Sequence, residues 1–408
     1  MNKKYKQVFE YQNLRYSDTG VFRKSHFDAI VKFNELHKNK YFTIIHNGVK
    51  FSNYVGVIQV GGLTIEILPK VDKNYNDKDS DKALWQNVLL NMLKVCNLIN
   101  VESFSKAKLK IKQYNSILDV YFDTYLNEIE KLIRKGLIKK YRKTQSNQNT
   151  LKGKLLHSQN IQKNLVHKER FYCEHQVYDT NHLLHQIIYK ALLILKNFVN
   201  KSLSDKLNRL LYEFQDIEHI NIHKSHFDKI TISRKNNDYQ TAIDIAKIII
   251  LNYSPSLNVG HENLLTLLFD MNALWEEYIY RILQKNKTED MSISFQNKNS
   301  QKFWENKTIR PDIVLKNKGV NFIIDTKWKI VENNNPSDDD LKQMLVYNLH
   351  WKSDKALLLY PKVNQEDSEF GKFHYKHSKC KLGFVDIIDG GNIRDGKDIA
   401  KEIFEKFN

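Results

Sequence analysis

Two carboxylates and a lysine lie on what the sequence predicts to be neighbouring strands near the C-terminus. Asp312 follows Pro311 in the segment TIRPDIVLKN, and Asp325 and Lys327 belong to the segment VNFIIDTKWKI. Alternation along a strand puts Asp325 and Lys327 on one face, and Gly319 favours a turn that brings Asp312 beside them. Burying these charges together is costly unless a cation compensates, and divalent metals prefer carboxylate oxygens. The pattern therefore predicts a metal-dependent nuclease centre.

Charge and length set the frame for this prediction. The chain has 408 residues, which is enough for two or three domains. Its 64 Lys and Arg residues outnumber its 47 Asp and Glu residues, so that its formal charge is +17. An excess of this size favours a polyanionic partner such as nucleic acid. The alternative is a general lysine bias of the source, which the many Asn, Lys and Ile residues also fit.

The cysteines and the apolar segments bear on location. Cys96, Cys173 and Cys380 are far apart and offer neither a disulfide framework nor a CxxC zinc site, which fits a reducing cytoplasm. The first residues, MNKKYKQVFEYQ, contain no apolar core of a signal peptide, and no stretch reaches the roughly 18 apolar residues of a membrane span. We therefore expect a cytoplasmic chain that has no membrane as a partner.

Hydrophobic patterning predicts an α+β multidomain fold. Residues 1–115 are expected to form a mixed α+β domain, with a hairpin around Gly61–Gly62 and a helix from Leu84 to Val95. Over residues 116–260 apolar side chains recur at helical spacing, for example from Leu118 to Ile133. This spacing predicts a helical middle domain.

The third predicted domain, residues 261–408, has a specific order of elements. Pro255 and Gly260 in SPSLNVG mark its boundary. Ser337 is expected to be the N-cap of its second helix. The elements have the order α-β-β-β-α-β, with helices over 261–285 and 338–350 and strands over 291–295, 309–315, 320–328 and 355–361.

A basic segment interrupts the middle domain. Residues 131–154 contain nine Lys or Arg residues and no Asp or Glu, with Tyr141 among them. Such a segment can follow a phosphate backbone, but it is equally typical of a solvated helix end and loop. The candidate DNA-binding residues are Lys139, Lys140, Arg142, Lys143, Lys152 and Lys154.

Two helices offer further candidates for the site. Glu277 can pair with Arg281 on a solvent-facing side of the first helix, whereas Glu276 has mainly apolar neighbours and needs a partner. Glu276 is therefore the better candidate, and the alternative is a partly exposed Glu at the edge of the apolar face. Gln343 and Tyr347 are four residues apart on the next helix, so their side chains project together.

These motifs resemble a known nuclease family. The Pro-Asp, Asp-x-Lys and Gln-x3-Tyr motifs, in this order, are similar to those of PD-(D/E)xK nucleases of the RecB-type branch. The blocks YVGVIQVGGLTIEILPKVD, LKGKLLHSQNIQKN, RFYCEHQVYDTN and LLFDMNALWEEYIYRIL extend the likeness. Together they resemble the McrC family, the endonuclease subunits of McrBC modification-dependent, 5-methylcytosine-specific restriction systems. The resemblance covers nearly the whole chain, with extra length in the N-terminal and middle parts.

The resemblance implies a role for each candidate residue. Asp312 and Asp325 would bind Mg²⁺, Lys327 would be the catalytic lysine, the main-chain oxygen of Thr326 would complete the metal shell, and Glu276 would be a further ligand. Mg²⁺ held in this way offsets charge on the phosphoryl oxygens and lowers the pKa of water. The catalytic candidates are Asp312, Asp325, Lys327, Glu276, Gln343 and Tyr347, and the candidate metal ligands are Asp312, Asp325, Thr326 and Glu276.

The resemblance also implies partners. An McrB-like AAA+ GTPase hexamer would find the modified base and translocate the DNA. The present chain would dock on that ring through residues 1–115, stimulate GTP hydrolysis and cut double-stranded, methylated DNA. The segment GNIRDGK has the spacing of a phosphate-binding loop, but Asp398 follows it where Ser or Thr is required. GTP is therefore assigned to the partner and not to this chain.

Two other functions remain open from the sequence. One is a stand-alone RecB-like DNA repair nuclease that needs no GTPase. The other is an assembly and GTPase-activating module whose nuclease centre is inactive. Cleavage of unmodified DNA without a partner would favour the first, and a site that binds no divalent metal would favour the second.

Overall fold

A computed structural model describes residues 4–18, 20–70, 79–98, 116–254, 263–331, 334–363, 365–374 and 377–407. Contacts within the chain divide it into two compact units. One unit comprises Met1–Ile117 and Ser256–Asn408, and the other comprises Leu118–Pro255. The contacts thus group the predicted first and third domains in one unit, and their independence as domains stays a prediction. The boundary predicted at Pro255 and Gly260 lies outside the described residues.

The N-terminal part of the first unit is mixed α+β. Its predicted hairpin is confirmed, because Val60 pairs with Leu63 and Gly61 takes the positive φ of 53° that the turn needs. The predicted helix that includes Leu84 is confirmed as well. The elements are β1 (Lys4–Phe9), β2 (Asn13–Arg15), α1 (Lys24–Leu36), β3 (Phe42–Ile45), β4 (Gly48–Phe51), β5 (Tyr54–Val60), β6 (Leu63–Leu68) and α2 (Asp79–Val95).

The second unit combines helices with a small sheet. The elements are α3 (Ile117–Lys135), β7 (Lys140–Gln148), β8 (Lys154–Leu155), α4 (His157–Lys163), β9 (Phe171–Asp179), α5 (Leu183–Leu195), α6 (Lys201–Glu213), α7 (Lys224–Asp228), α8 (Gln240–Leu251) and β10 (Tyr253–Ser254). The helices predicted from apolar spacing are present, but the expected helical middle domain also contains the sheet β7-β9-β8. Strand β7 carries polar residues on both faces, so its sequence shows no apolar alternation, and its pairing with β9 defines it.

The C-terminal part of the first unit contains the elements predicted for the nuclease centre and several more. Its elements are β11 (Leu264–Asp270), α9 (Met271–Asn286), β12 (Met291–Phe295), β13 (Gln301–Trp304), β14 (Lys307–Ile309), β15 (Ile313–Asn317), β16 (Val320–Thr326), α10 (Asp338–Trp351), β17 (Lys355–Pro361), β18 (Gly371–Lys372), β19 (Lys379–Val385), β20 (Ile388–Asp389), β21 (Asn392–Ile393) and α11 (Gly396–Glu405).

One sheet of this part carries the candidate site. Its strand order is β12-β15-β16-β17-β19-β18. β12, β15 and β16 pair antiparallel, whereas β16, β17 and β19 pair parallel, with α10 as the connection between β16 and β17. A parallel pair needs such a crossover. Met344, Tyr347 and Trp351 of α10 pack on this sheet in a buried apolar cluster.

The prediction that a helix begins near His261 is wrong. Residues Leu264–Asp270 form β11, and the helix begins only at Met271. Asp270 is its N-cap, since its side chain accepts hydrogen bonds from the amides of Asn272 and Ala273. A short apolar run fits a buried strand as well as a helix, and pairing of β11 with β5 decides between them. Ser337, by contrast, is confirmed as the N-cap of α10.

A second sheet joins the two ends of the chain within this unit. It contains β1, β6, β5 and β11 in that order. Leu267 of β11 lies so close to Gly56 of β5 that a Cβ added to Gly56 would come within 2.0 Å of the Leu267 carbonyl oxygen. Gly56 also has a φ of 130°. Only glycine therefore fits there without moving the backbone.

A buried carboxyl connects β1 to the strand that carries Asp325. Glu10 Oε1 accepts hydrogen bonds from the amide of Lys70 and from Nε1 of Trp328, both at 2.8 Å. Burial raises the pKa of Glu10 from 4.5 to about 7. The residue that follows Lys327 is thus held by the N-terminal part of the chain.

Among the described residues, no helix combines the length and the apolar character that a membrane crossing requires.

Replacing Glu10 with Gln tests the state of this carboxyl. Because its pKa is raised in the folded chain, the stability that the proton gives is present below the ordinary pKa and is lost as the pH rises through 7. From about pH 5 to about pH 8, the unfolding free energy of the unaltered chain should fall by about 3 kcal/mol relative to that of Glu10→Gln. Urea unfolding of both proteins measures this difference, and a difference that does not change with pH would contradict the assignment.

Candidate active site

Strand pairing places the two aspartates opposite each other. Ile313 pairs with Ile324 in the antiparallel ladder of β15 and β16, so the next residues outward are Asp312 and Asp325. At the other end of the ladder the turn runs through Gly319, which has a φ of 86°. The structure therefore brings together the two carboxylates that the sequence singled out.

Asp312 is held by the end of the neighbouring strand. Its Oδ2 atom accepts a hydrogen bond from the amide of Thr326 at 2.8 Å and one from Thr326 Oγ1 at 3.3 Å. Burial and the nearby carboxylate of Glu276 raise the pKa of Asp312 to about 6, although the donors of Thr326 favour the charged form. Thr326 orients Asp312, and coordination by its main-chain oxygen stays a prediction.

Asp325 is almost fully buried, with 1 % of its surface exposed. Its Oδ2 atom lies 2.8 Å from Nζ of Lys327. Burial, followed by repulsion from Asp312, raises the pKa of Asp325 to about 7, and the ammonium group of Lys327 offsets this only in part. Charge on Asp325 is therefore poorly compensated by the protein.

Lys327 lies on the same face of the chain as Asp325, as the alternation predicted. Its Nζ atom also donates a hydrogen bond to Oε1 of Gln343 at 3.3 Å and lies 4.0 Å from Oδ1 of Asp340. Burial alone lowers the pKa of Lys327, but the carboxylates of Asp325 and Asp312 outweigh it and raise the pKa. The side chain therefore remains an ammonium ion at neutral pH.

The Gln343 and Tyr347 pair on α10 extends this arrangement. Gln343 Nε2 donates a hydrogen bond to the hydroxyl of Tyr347 at 2.8 Å, and that hydroxyl donates to the main-chain oxygen of Arg310 at 2.7 Å. A chain of hydrogen bonds thus runs from Lys327 through α10 to the segment that precedes Asp312. It fixes the ammonium group relative to both carboxylates.

The structure separates the two acids of α9 as the sequence indicated. Glu277 pairs with Arg281 at 2.9 Å on a partly exposed surface. Glu276 instead accepts a hydrogen bond from Gln296 Nε2 at 2.8 Å. Burial raises the pKa of Glu276, and Asp325 raises it further. Glu276 thus belongs to the electrostatic surroundings of the site, and its role as a ligand stays a prediction.

Asp340 and Lys329 form an ion pair that the sequence does not predict. Asp340 is buried, and its Oδ2 atom lies 2.6 Å from Nζ of Lys329. Burial raises the pKa of Asp340, but the bond to Lys329 and the other donors outweigh it, so the pKa is lowered. Asp340 lies three residues after the N-cap Ser337, where an acidic residue is ordinary, so no local pattern indicates that Asp340 lies beside Lys327.

The donor set fits a hard divalent cation. Asp325 is buried and Asp312 is half-buried, the two face each other, and each has a raised pKa. Within the described parts of the chain, no three side chains of His, Cys, Asp or Glu are placed to hold a metal ion among them. Mg²⁺ needs only one or two carboxylates when water and phosphate oxygens complete its shell. Two carboxylates whose charges are poorly compensated suit that mode of binding.

The basic segment does not present its charges on one face. Arg142 Nη2 lies 2.9 Å from Oδ2 of Asp179, and Lys143 Nζ lies 3.7 Å from Oε1 of Glu174. Arg142 and Lys143 are neighbours on β7, so they point to opposite faces. The exposed candidates are Lys139, Lys140, Lys143, Lys152 and Lys154. DNA binding by this segment stays a prediction.

Comparison with known proteins decides the family. Residues 49–361, well over half of the chain, match the model of the McrBC 5-methylcytosine restriction system component. The chain belongs to this McrBC family. The resemblance to McrBC systems that the motifs indicated is therefore confirmed. A comparison with curated proteins gave no match.

Solved structures of McrBC assemblies share the fold. One is a refined half-complex from a tetradecameric assembly of Thermococcus gammatolerans McrB AAA+ hexamers with bound McrC. A chain of it matches with a TM-score of 0.75 and 20 % identity over 99 % of this chain and 100 % of that chain. The cryo-EM structure of the T. gammatolerans McrBC complex matches with a TM-score of 0.52 and 21 % identity, over 69 % and 88 % of the two chains. The mixed α/β fold is thus that of an McrBC component.

Replacing Tyr347 with Phe tests the hydrogen-bond chain on α10. The change removes the hydroxyl that joins Gln343 to the Arg310 oxygen. We expect a loss of about 1–2 kcal/mol in the free energy of unfolding, because two partly buried hydrogen bonds are lost.

Tyr360→Phe is the matched control for this change. Tyr360 packs in the same buried cluster, and its hydroxyl makes no hydrogen bond within the described residues. Its removal should leave the free energy of unfolding unchanged or slightly higher. Equal effects of the two changes in thermal or urea unfolding would contradict the role given to Tyr347.

Proposed function

We propose that this McrBC family member is the McrC-type nuclease subunit, and that it hydrolyses phosphodiesters of double-stranded DNA with Mg²⁺. The observation that carries the proposal is the convergence of Asp312, Asp325 and Lys327 at the paired ends of β15 and β16. This convergence supports a PD-(D/E)xK nuclease domain over residues 261–408. Two acids and one amine around one point are the groups that metal-assisted phosphodiester hydrolysis needs.

Each residue of the candidate site has a defined role in this proposal. Asp312, oriented by the amide of Thr326, and the buried Asp325 present oxygens to the cation. When bound, Mg²⁺ stabilises charge on the phosphoryl oxygens and lowers the pKa of a water molecule. Lys327 keeps its proton and stabilises negative charge that develops on the phosphate. Gln343 and Tyr347 hold Lys327 in position, and Glu276 adds negative charge nearby.

The division of labour in the complex is part of the proposal. The McrB-like AAA+ hexamer binds GTP, recognises the modified base and moves the DNA, and this chain docks on it, stimulates its GTPase and cuts. The assembly of McrB AAA+ hexamers with bound McrC, whose fold this chain shares, supports that arrangement. We place docking in residues 1–115, DNA contacts in the basic segment 131–154, and the complex in the cytoplasm.

Removing either charged group at the centre should stop cleavage. Asp325→Ala and Lys327→Ala should each lower the rate of DNA cutting at least about a hundredfold, because each removes a group that stabilises the transition state. The measurement is cleavage of methylated duplex DNA with the AAA+ partner, GTP and Mg²⁺. Partner binding and GTPase stimulation should stay intact in the same samples.

Asp339→Ala and Lys342→Ala are matched controls on α10, the helix that also carries Gln343 and Tyr347. Their side chains form an ion pair that is largely exposed, at 3.7 Å. Both variants should cut DNA at the normal rate. If Asp325→Ala lost cleavage together with partner binding and GTPase stimulation, its role would be structural and the proposal would be wrong.

Metal titration separates an active centre from an inactive one. Titration calorimetry of the unaltered chain with Mn²⁺ or Mg²⁺ should show a heat of binding. Asp312→Ala should weaken binding of the metal at least about tenfold, because one of two carboxylates is lost. Asp339→Ala should bind the metal normally. A folded chain that binds neither metal, even with DNA and the partner ring present, would favour the assembly module without nuclease activity.

A further inference from the structure

A small hairpin precedes the candidate site and has no role in the function proposed so far. Among the strands that the structure describes, β13 and β14 pair only with each other, with Gln301 opposite Ile309 and Trp304 opposite Lys307. A bulge lies between Lys302 and Trp304. Ile309 of β14 packs against the apolar cluster that includes Tyr347 and Trp351, whereas all four residues of β13 are exposed. β13 therefore contributes little to the core and is accessible to a ligand.

Its two aromatic side chains face solvent. Phe303 is 52 % exposed and Trp304 is 58 % exposed. The chain has five tryptophans, and the other four are at most 9 % exposed. These four are Trp85, Trp275, Trp328 and Trp351. Adjacent exposed aromatic rings are typical of a binding surface.

Contacts within the chain explain the position of the rings but not their exposure. Lys307 Nζ lies 5.7 Å from the centre of the Trp304 ring, which is a cation–π contact across the hairpin. The Phe303 ring lies 5.8 Å from the ring of His350 on α10. Both rings still have more than half of their surface exposed.

The same contacts place the hairpin beside the nuclease centre. His350 lies one turn after Tyr347, whose hydroxyl bonds the main-chain oxygen of Arg310. Arg310 follows β14 directly and is two residues before Asp312. The hairpin is therefore attached at two points to elements that hold the catalytic carboxylates and the lysine.

The charge around the two aromatic rings indicates which kind of ligand the hairpin binds. From residue 298 to residue 310 the sequence contains Lys298, Lys302, Lys307 and Arg310 but a single acid, Glu305. Basic side chains neutralise phosphates, and exposed apolar and aromatic side chains can insert between base steps of a duplex from the minor groove. A protein partner would use the rings equally well, but a surplus of positive charge next to a phosphodiester-cleaving centre favours DNA.

We propose that the hairpin over residues 301–309 is a DNA-contacting element of the nuclease. Trp304 and Phe303 contact the bases or sugars next to the cleaved bond, and Lys302 and Lys307 contact its flanking phosphates. The element holds the DNA in register with Asp312 and Asp325. This inference rests on the proposed nuclease function, because it takes DNA as the substrate at that centre.

Tryptophan fluorescence tests the contact directly. In an Asp325→Ala background, which prevents cutting, acrylamide should quench mainly Trp304, and Trp304→Phe should remove most of that quenching. Adding duplex DNA should protect Trp304 from acrylamide. Unchanged quenching on saturation with the duplex would overturn the inference.

Binding affinity provides an independent test in the same background. Trp304→Ala should weaken binding of a fluorescein-labelled duplex about tenfold, as expected for loss of one side chain that inserts between base steps. Lys302→Gln should reduce the slope of log K against log salt by about one, because one phosphate contact is lost. The matched controls are Tyr212→Ala and Lys401→Gln, whose side chains are also well exposed, and both should bind normally.

The outcomes separate this inference from the proposed function. Protection of Trp304 by the AAA+ partner but not by DNA would overturn it and assign the hairpin to protein docking. Failure of the chain to bind a duplex, alone or with the ring, would overturn it as well. If DNA protected Trp304 but the unaltered chain cut no DNA, the contact would stand and the nuclease proposal would fall.

Discussion

The antiparallel pairing of β15 with β16 is the constraint on which the site depends. It sets Asp312 opposite Asp325, and the alternation of β16 adds Lys327 on the same face. One ammonium group does not balance two carboxylates, and burial keeps the pKa of both acids above the ordinary value, with further repulsion of Asp312 by Glu276 and of Asp325 by Asp312. The fold therefore maintains a local excess of negative charge that a divalent cation would relieve.

The surroundings keep this arrangement rigid. Helices α9 and α10 both contact β16. Hydrogen bonds lead from Lys327 through Gln343 and Tyr347 to the chain just before Asp312. The indole of Trp328, next to Lys327, bonds the buried Glu10 of the N-terminal part. A reactive group held from several directions keeps its geometry, which is what catalysis by preorganised charge requires.

Much of the site could be predicted from the sequence, because strand alternation, helical spacing and turn glycines act locally. They predicted the shared face of Asp325 and Lys327, the separation of Glu276 from Glu277, and the N-cap Ser337. What local patterns do not contain is pairing between distant segments. The local pattern predicts helix for Leu264–Asp270, because only pairing with β5 distinguishes this strand from a helix. Strand β7, with polar residues on both faces, cannot be predicted locally for the same reason.

The contacts of Asp340 with Lys327 and Lys329 could not be predicted either, since they arise where α10 packs on the sheet.

The central claim is that the carboxylates of Asp312 and Asp325 share one divalent cation. The most direct measurement is anomalous diffraction from crystals of the chain grown with Mn²⁺. The account predicts one strong peak between these two carboxylates, in bonding distance of both. Well-ordered carboxylates without a peak between them, or a peak only elsewhere, would contradict it.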